Sequence, residues 1–354
     1  MKKIVMTGGG TAGHVTPNIA LMPSLQKAGY EIYYIGSTDG IEKGLIEEQK
    51  IPYYGISSGK LRRYHSWKNF TDPFKVMKGF FQARHILGRI KPDVVFSKGG
   101  FVSVPVILAA KTKGIPAIIH ESDLTPGLAN KLAIPAATKV CCNFPETVPY
   151  LPAGKAVLTG SPIRQELLHG SKAKGMSFCH FNKDLPVLMI MGGSIGSVYI
   201  NNAVRGCLND LLKEYQIIHL CGKGNLDESL AGKEGYAQFE YISDNLPDLF
   251  AAADLMIARA GANSICEILA LRKPNILIPL GRNASRGDQI LNANSFSKQG
   301  FSVVLEEEKV TSDTLKATIK DTMANRQKFI TAMEESGQMD AISTIVSLIE
   351  DAAK

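Results

Sequence analysis

Lys3-Ile4-Val5-Met6-Thr7-Gly8-Gly9-Gly10-Thr11-Ala12-Gly13-His14-Val15-Thr16-Pro17 decides the fold of this 354-residue chain. A short apolar run ends in a glycine loop. The loop opens into Thr16-Pro17, a favourable helix start because proline in the first turn gives up no hydrogen bond. The order is strand, glycine loop, helix, with backbone N–H groups expected to aim at an anion. His14 closes the loop with a side chain that titrates near neutral pH. Two further glycine doublets follow, Gly99-Gly100-Phe101-Val102-Ser103 and Gly192-Gly193-Ser194-Ile195-Gly196. Three such turns predict an α/β chain built from two Rossmann-like halves facing a central ligand-filled cleft.

The flanking sequence repeats the same unit. Strand-like runs stand at Ile4–Thr7, Glu31–Ile35, Val94–Ser97, Ala117–His120 and Lys139–Cys142, with helix-like segments between them. This alternation argues for parallel βαβ units. Pro23 inside the first helix predicts a kink or a late start. A second series begins at Val187–Met191, with a helix over about Val198–Lys213. Strands are expected at Ile217–Leu220, Phe239–Ile242, Leu255–Ala258 and Asn275–Ile278, and a helix from Gly261 to about Leu271. The polar segment Gly160 to Leu185 reads as a hinge. These patterns place one domain at 1–163 and another at 164–337. The amphipathic pattern Ala341–Ala352 marks a terminal helix, about 338–354, that is expected to pack back on the first domain.

Apolar residues make up 45% of the chain, enough for two cores. No run approaches the roughly 18–20 apolar residues of a membrane span. The chain enters a strand at once, so no signal peptide is expected. Six cysteines without a C-x-x-C pair read as buried, reduced thiols of a cytosolic protein. The net charge of +7 is concentrated: Lys60–Lys91 holds nine basic residues and a single acid, Asp72. Within it a helix is predicted over Phe74–Ile90. Val76, Phe80, Ala83, Leu87 and Ile90 would face the core, while Phe74, Met77 and Phe81 form a second apolar stripe. A helix buried on one face has no need of a second stripe. Aromatics among cations suit an anionic membrane surface, and Trp67, Phe74, Lys75, Lys78 and Phe81 are the expected docking residues. RNA could use a similar composition, but no RRM, KH or zinc pattern is present, so no nucleic-acid partner is expected.

Gly8–Gly13 also matches the dinucleotide fingerprint G-x-G-x-x-G. That reading expects an acid at the end of the second strand, yet Tyr34-Ile35-Gly36-Ser37 carries none before Asp39. A second constellation is Ala253-Asp254-Leu255-Met256-Ile257-Ala258-Arg259-Ala260-Gly261-Ala262-Asn263-Ser264-Ile265-Cys266-Glu267. Here a strand ends at a glycine, and small residues open a helix whose N-terminus can receive a diphosphate. Glu267, two turns in, can accept from a ribose diol.

GGGTAGHVTP, KPDVVFSKGGFVSVP, IHESDLTPGLAN, GSPIR, MGGSIGS, RAGANSICEILA and DQILNAN together resemble the MurG family of UDP-N-acetylglucosamine transferases over nearly the whole chain. The resemblance implies a GT-B fold. The donor UDP-GlcNAc would lie on the C-terminal domain. The acceptor, an undecaprenyl-diphosphate-linked muramoyl pentapeptide, would lie on the N-terminal domain, with no metal or other cofactor. It implies a peripheral enzyme on the cytoplasmic face of the cell membrane, serving peptidoglycan synthesis. Motif by motif, Thr11, Ala12 and Gly13 match the loop near the donor sugar and acceptor diphosphate, and Asp123 a polar donor contact. Arg164 and Ser194 match diphosphate contacts, and Ile242 the residue whose backbone reads uracil. Ala262, Asn263, Ser264, Ile265, Cys266 and Glu267 match the diphosphate helix and its ribose carboxylate. Gln289 matches a GlcNAc hydroxyl contact, with Asn292 beside it. Two positions depart from the family pattern: Ile195 replaces a glutamine, and Asp123 stands where many relatives carry asparagine.

Inverting displacement at an anomeric carbon needs a base for the hydroxyl and stabilisation of the departing UDP. The Ala262 helix, Ser194 and Arg164 suit the second task. His14 is the leading candidate for the first and Glu121 its rival. For His14 the structural alternative is a loop-ordering hydrogen bond, and for Glu121 a carboxylate capping a neighbouring loop. Other functions stay open at this level: a GT-B enzyme with a diacylglycerol acceptor, a UDP-GlcNAc 2-epimerase, or a non-catalytic UDP-sugar-binding scaffold.

Overall fold

A computed structural model of the chain describes residues 2–59, 68–193, 196–281, 287–336 and 340–354, with 68–71 described by backbone alone. It divides into two compact units. One holds the chain as far as Arg164 together with the C-terminal helix; the other begins at Gln165.

The first unit runs β1 (Lys2–Thr7), α1 (Thr16–Lys27), β2 (Tyr30–Ser37), α2 (Ile41–Glu47), β3 (Tyr53–Ile56), α3 (Lys68–Ile90), β4 (Val94–Ser97), α4 (Ser103–Thr112), β5 (Ala117–Glu121), α5 (Leu128–Ala133), β6 (Lys139–Cys142) and β7 (Ala156–Leu158). The strands form a parallel sheet in the order β3-β2-β1-β4-β5-β6-β7. Side chains alternate across a strand, and here the alternation sorts the core into two layers. Val5, Ile35, Val95, Ile119 and Val140 pack on one face with Ala83 and Leu87 of α3 and Val106 of α4. Ile4, Met6, Ile32, Tyr34, Phe96 and Ile118 pack on the other with Leu21 and Leu25 of α1. A sheet covered on both faces is the reason these strands read as unbroken apolar runs.

The second unit runs α6 (Lys172–Phe178), β8 (Val187–Met191), α7 (Val198–Gly206), α8 (Leu208–Leu211), β9 (Gln216–Leu220), β10 (Tyr236–Phe239), α9 (Leu246–Ala252), β11 (Leu255–Ala258), α10 (Ala262–Ala270), β12 (Asn275–Leu277), α11 (Asp288–Lys298), β13 (Val303–Val304), α12 (Ser312–Ala324) and α13 (Arg326–Glu335). Its parallel sheet has the order β10-β9-β8-β11-β12-β13. Both sheets reverse direction of growth beside their first strand, β1 in one and β8 in the other. Ligands of open parallel sheets collect at that switch point, beyond the carboxyl ends of the strands.

Several expectations are corrected. α1 starts at Thr16 and continues through Pro23, whose ring lies on the exposed side of the helix. α3 begins six residues before Phe74 and contains Pro73. The helix expected over Val198–Lys213 breaks at Cys207, and the strand expected at Phe239–Ile242 lies three residues earlier, in register with β9. The division between the units falls within the expected hinge, at Arg164, and the later part of that segment is folded: Ser171 caps α6, and its amide donates to Asp248 at the start of α9. A Cβ at Gly175 would meet the Asp248 carbonyl at 2.2 Å, so α6 and α9 touch through backbone.

The final helix, α14 (Ala341–Ala352), returns to the first unit and packs on α1. Ile342, Ile345 and Ile349 enter the same layer as Leu21 and Leu25. The three isoleucines lie on one helical face. Because Ile345 is fully buried, Ile345→Ala is expected to cost about 2–5 kcal/mol in urea unfolding. An unchanged midpoint would mean that α14 does not stabilise the unit.

Candidate active site

Both glycine loops of the first unit lie at the carboxyl ends of β1 and β4, and they touch through backbone. The Gly9 amide donates to the Gly99 carbonyl at 3.3 Å. A Cβ on Gly100 would come within 2.3 Å of the Gly9 carbonyl oxygen, and Gly100 itself has φ +88°. No side chain fits between these loops. On its other side Gly9 meets a residue that the motif reading passed over. A Cβ on Gly9 would stand 2.4 Å from the carboxyl group of Glu42.

Glu42 is fully buried in the first turn of α2. Its Oε2 accepts from the Gly10 amide at 3.1 Å, and its Oε1 accepts from the amide and hydroxyl of Ser37 at 2.9 and 2.5 Å. Burial alone would raise its pKa, but these hydrogen bonds outweigh burial and hold it below the usual carboxylate value. The first loop therefore spends two amides internally, those of Gly9 and Gly10. This narrows the expectation that its N–H groups aim at an anion. Thr11 and Ala12 are exposed, and Gly13 is half-buried.

His14 ends a short 3-10 turn, Ala12–His14. Its Nδ1 lies 3.1 Å from the Gly9 carbonyl oxygen and 3.2 Å from Thr11 Oγ1. A carbonyl only accepts, so the network assigns the proton of the neutral ring to Nδ1 and leaves the lone pair on Nε2. Burial lowers the His14 pKa below its ordinary value, and Lys98 lowers it further. The Gly9 carbonyl and Glu42 oppose them. Desolvation is thus the main reason for a neutral ring.

Glu121, at the end of β5, is only 4% exposed. Its Oε1 accepts from the Asp123 amide at 3.0 Å; its Oε2 accepts from the Gly127 amide and the Asn130 side chain, each at 2.9 Å. Burial raises its pKa against those bonds. It builds the loop that carries Asp123, which is half-buried. A second group escaped the motif reading here. Lys98, just before Gly99, is 1% exposed, and its Nζ donates to His120 Nδ1 at 2.8 Å and Ser122 Oγ at 2.5 Å. His120 Nε2 in turn donates to the Gly160 carbonyl at 2.9 Å, four residues ahead of the half-buried Arg164. The available signals were a lysine closing the apolar strand Val94–Ser97 and an acid two residues after Gly40.

In the second unit, α10 starts at Gly261, which offers no side-chain cap. The first amides of a helix have no intrahelical acceptor, and a helix start of this kind suits an anion. Ile265 and Cys266 are buried and face the core; Asn263, Ser264 and Glu267 are half-buried. Arg259, quoted above without a role, organises the turn. Its guanidinium donates to the carbonyls of Ile278 and Pro279 at 3.1 and 3.3 Å, to Ser197 Oγ at 2.7 Å, and to Glu307. Glu307 also accepts from the Gly281 amide at 3.1 Å. One buried arginine thus ties together the loops after β8, β11 and β12. Gln289 Oε1 accepts from the Leu280 amide at 3.0 Å. Asn292 is fully buried and donates to the Ala260 carbonyl at 3.3 Å. This bond ties α11 to the residue before the Gly261 turn. Ile242 lies half-buried in the loop between β10 and α9. Ser194 and Trp67 lie outside the described residues.

On α3, Ala83 and Leu87 are fully buried, while Phe74, Met77 and Phe81 are 69%, 52% and 62% exposed. The second stripe is therefore real and exposed among the described residues. Lys75 and Lys78 flank it, with Lys75 3.4 Å from Asp72. All six cysteines are buried and unbridged.

Two Rossmann-like sheets, each with a glycine turn at its switch point, define a GT-B glycosyltransferase. The chain belongs to glycosyltransferase family 28: residues 4–142 match the family's N-terminal domain and residues 187–349 its C-terminal domain. It is 64% identical over 354 residues, covering all of both chains, to the UDP-N-acetylglucosamine--N-acetylmuramyl-(pentapeptide) pyrophosphoryl-undecaprenol N-acetylglucosamine transferase of Lachnospira eligens. It is 62% identical to the protein of the same name from Lachnoclostridium phytofermentans, with 99% of each chain covered. The crystal structure of Acinetobacter baumannii MurG matches with a TM-score of 0.79 at 27% identity, over 99% of this chain and all of that one.

Glu42→Ala would leave the Gly10 amide and the Ser37 donors without their buried acceptor. A loss of about 3 kcal/mol or more is expected in urea unfolding, at roughly 1–3 kcal/mol for each of the three abandoned donors. Wild-type stability would show that Glu42 does not prop the loop.

Proposed function

We propose that this chain transfers GlcNAc from UDP-GlcNAc to the 4-hydroxyl of the muramoyl sugar in an undecaprenyl-diphosphate-linked MurNAc-pentapeptide, the lipid I to lipid II step of peptidoglycan synthesis. The observation that carries this reading is the end-to-end identity with a chain named for that reaction. A diacylglycerol acceptor, an epimerisation or a bare scaffold has no comparable support.

In the proposed step the muramoyl O4 bonds to the anomeric carbon as the bond from that carbon to the UDP β-phosphate oxygen breaks. The configuration inverts and a β-linked product forms. His14 Nε2 receives the O4 proton, which its tautomer permits because Nδ1–H is held by Gly9. Glu121 is occupied by three donors and serves as the organiser of the Asp123 loop. The N-terminus of α10, Arg164 and Ser194 stabilise the departing diphosphate, and Glu267 holds the ribose. Gln289 retains its amide N–H groups for a sugar hydroxyl. Thr11, Ala12 and Gly13 border the acceptor diphosphate.

The enzyme works at the cytoplasmic face of the membrane, docked through Trp67, Phe74, Lys75, Lys78 and Phe81. No helix among the described residues is long and apolar enough to cross a membrane. The exposed stripe on α3 supports the peripheral reading.

The decisive assay is UDP release from purified protein, with UDP-GlcNAc and a short-chain muramoyl lipid acceptor. Release that requires the muramoyl lipid is expected, and release with diacylglycerol alone would overturn the reading. His14→Ala should reduce turnover by about 100-fold or more, the usual worth of a general base, with UDP affinity unchanged. Because burial and Lys98 depress the His14 pKa, the base stays deprotonated below the ordinary histidine value. Activity is therefore expected to persist through pH 6.5 and to fall on the acid side of it. Glu267→Ala should weaken UDP binding by about tenfold or more in calorimetry, as loss of a charged hydrogen bond predicts. Normal affinity would remove Glu267 from the ribose.

Exchanging Lys75 and Lys78 for Glu should release the protein from anionic vesicles. Each near-surface cation is worth about 1 kcal/mol. Activity on a soluble acceptor analogue should survive. Retention on the vesicles would rule these lysines out as the anchor.

A further inference from the structure

A buried arginine must find acceptors for its donors. Arg259 is 8% exposed and finds them on three segments of the second unit. Its backbone amide donates to the carbonyl of Met191, the last residue of β8, at 3.3 Å, so the residue is fixed beside the switch point of the sheet. One end of the guanidinium donates to Ser197 Oγ and to Glu307. The other end donates to two successive carbonyls directly after β12, those of Ile278 and Pro279. A rigid planar fork spans such a set, whereas a lysine ammonium is a single point of donation.

Those carbonyls open a run of four consecutive residues, each held by a polar bond. The Leu280 amide donates to Gln289 Oε1 at 3.0 Å, and the Gly281 amide donates to Glu307 Oε2 at 3.1 Å. The other Glu307 oxygen receives Arg259. Arg259 therefore grips the segment twice, directly at 278 and 279 and through Glu307 at 281. The Leu280 N–H lies between the two grips, and its direction is set from both sides. Gln289, in the first turn of α11, responds to that direction. A carboxamide has one accepting end and one donating end, and a backbone N–H can be met only by the oxygen. The Leu280 amide thus settles which way Gln289 faces: Oε1 toward the segment, Nε2 away from it.

We propose that Arg259 is a positioning residue for recognition of the donor sugar: by holding residues 278–281 it keeps the Leu280 N–H on Gln289 Oε1 and so presents the Gln289 N–H groups to a sugar hydroxyl. The assignment rests on the reading of Gln289 as a GlcNAc contact, and its test separates the two. Arg259→Lys keeps the charge and loses the fork. Glu307→Gln opens the other grip, because its new NH2 end can accept from neither Arg259 nor Gly281.

The measurement is calorimetric affinity of the full chain for UDP-GlcNAc and for UDP, without acceptor. UDP lacks the sugar, so the ratio of the two affinities isolates what the sugar contributes. In Gln289→Ala the ratio is expected to fall by about fivefold or more, as loss of one hydrogen bond predicts. In Arg259→Lys it should fall in the same direction. Glu307→Gln decides the matter if Arg259→Lys does not fold, and it too should lower the ratio. Adding Arg259→Lys to Gln289→Ala should lower the ratio no further, because both changes act through one contact.

A mere structural prop would lower the melting temperature and leave the ratio alone. A wild-type ratio in Arg259→Lys, alongside a lowered one in Gln289→Ala, overturns the proposal and keeps Gln289 on the sugar. Equal losses for UDP and UDP-GlcNAc in Arg259→Lys overturn it as well and assign Arg259 to the diphosphate. A ratio unmoved in Gln289→Ala removes Gln289 from the sugar, and the proposal with it.

Discussion

Gly9 is pressed between two things that leave no room for a side chain: the Gly100 backbone and the Glu42 carboxylate. The first unit's chemistry depends on that compression. It brings the loop after β1 against the loop after β4, so residues about ninety positions apart act as one floor. It turns the Gly9 carbonyl toward His14 and so settles which ring nitrogen is free. Glu42 belongs in this place because a buried carboxylate is tolerated only when its lone pairs are met. Here an amide from the loop and two donors from Ser37 meet them.

The two units share an architecture and use it differently. In the first, loop amides are turned inward to lock the fold, and a loop carbonyl orients the His14 ring. In the second, α10 begins at Gly261 without a side-chain cap, and locking falls to a side chain. Arg259 takes that part, with Ser197 and Glu307 as its partners. A guanidinium suits the task because its planar fork can reach carbonyl, hydroxyl and carboxylate at once. A proton-transfer site needs one oriented imidazole, whereas a diphosphate site needs several parallel dipoles held still. The same strand–turn–helix element supplies either, depending on whether its first amides are consumed.

What was legible in the residues follows from where the signal is local. The central strands β1, β4, β5, β8 and β11 are buried on both faces, so their apolar runs stand out. The double stripe on α3 and the isoleucine face of α14 have helical spacing that one neighbour cannot imitate. Edge strands failed the same test. β3, β7 and β13 are short and half-buried, with Tyr53 and Tyr54 in place of an aliphatic run, so their strand character comes from pairing alone. Pro23 did not delay the start of α1, which runs on through it with the proline on its exposed side. The segment 160–185 read as a hinge because its anchor, Asp248, lies far along the chain. Glu42 and Lys98 were hidden for a related reason. A charged residue looks like surface in a sequence, and only the sheet order reveals that each lies beneath a glycine loop.

Burial of these charges also sets the conditions under which the loop is intact. The Glu42 pKa is held below its usual value, and that of His14 is lowered. Glu42 is ionised in the folded state at a pH where the unfolded chain would bind a proton, so its contribution is present above the ordinary carboxylate range and lost as pH falls through the depressed value. His14 works in the same sense on stability: the unfolded chain takes up a proton below about pH 6.5 while the folded ring resists it, so acidification favours unfolding. Both effects weaken the loop on the acid side and neither weakens it near neutrality. The state with Glu42 charged and His14 neutral is therefore the one in which the fold is firmest. It is also the state that a proton-accepting imidazole requires.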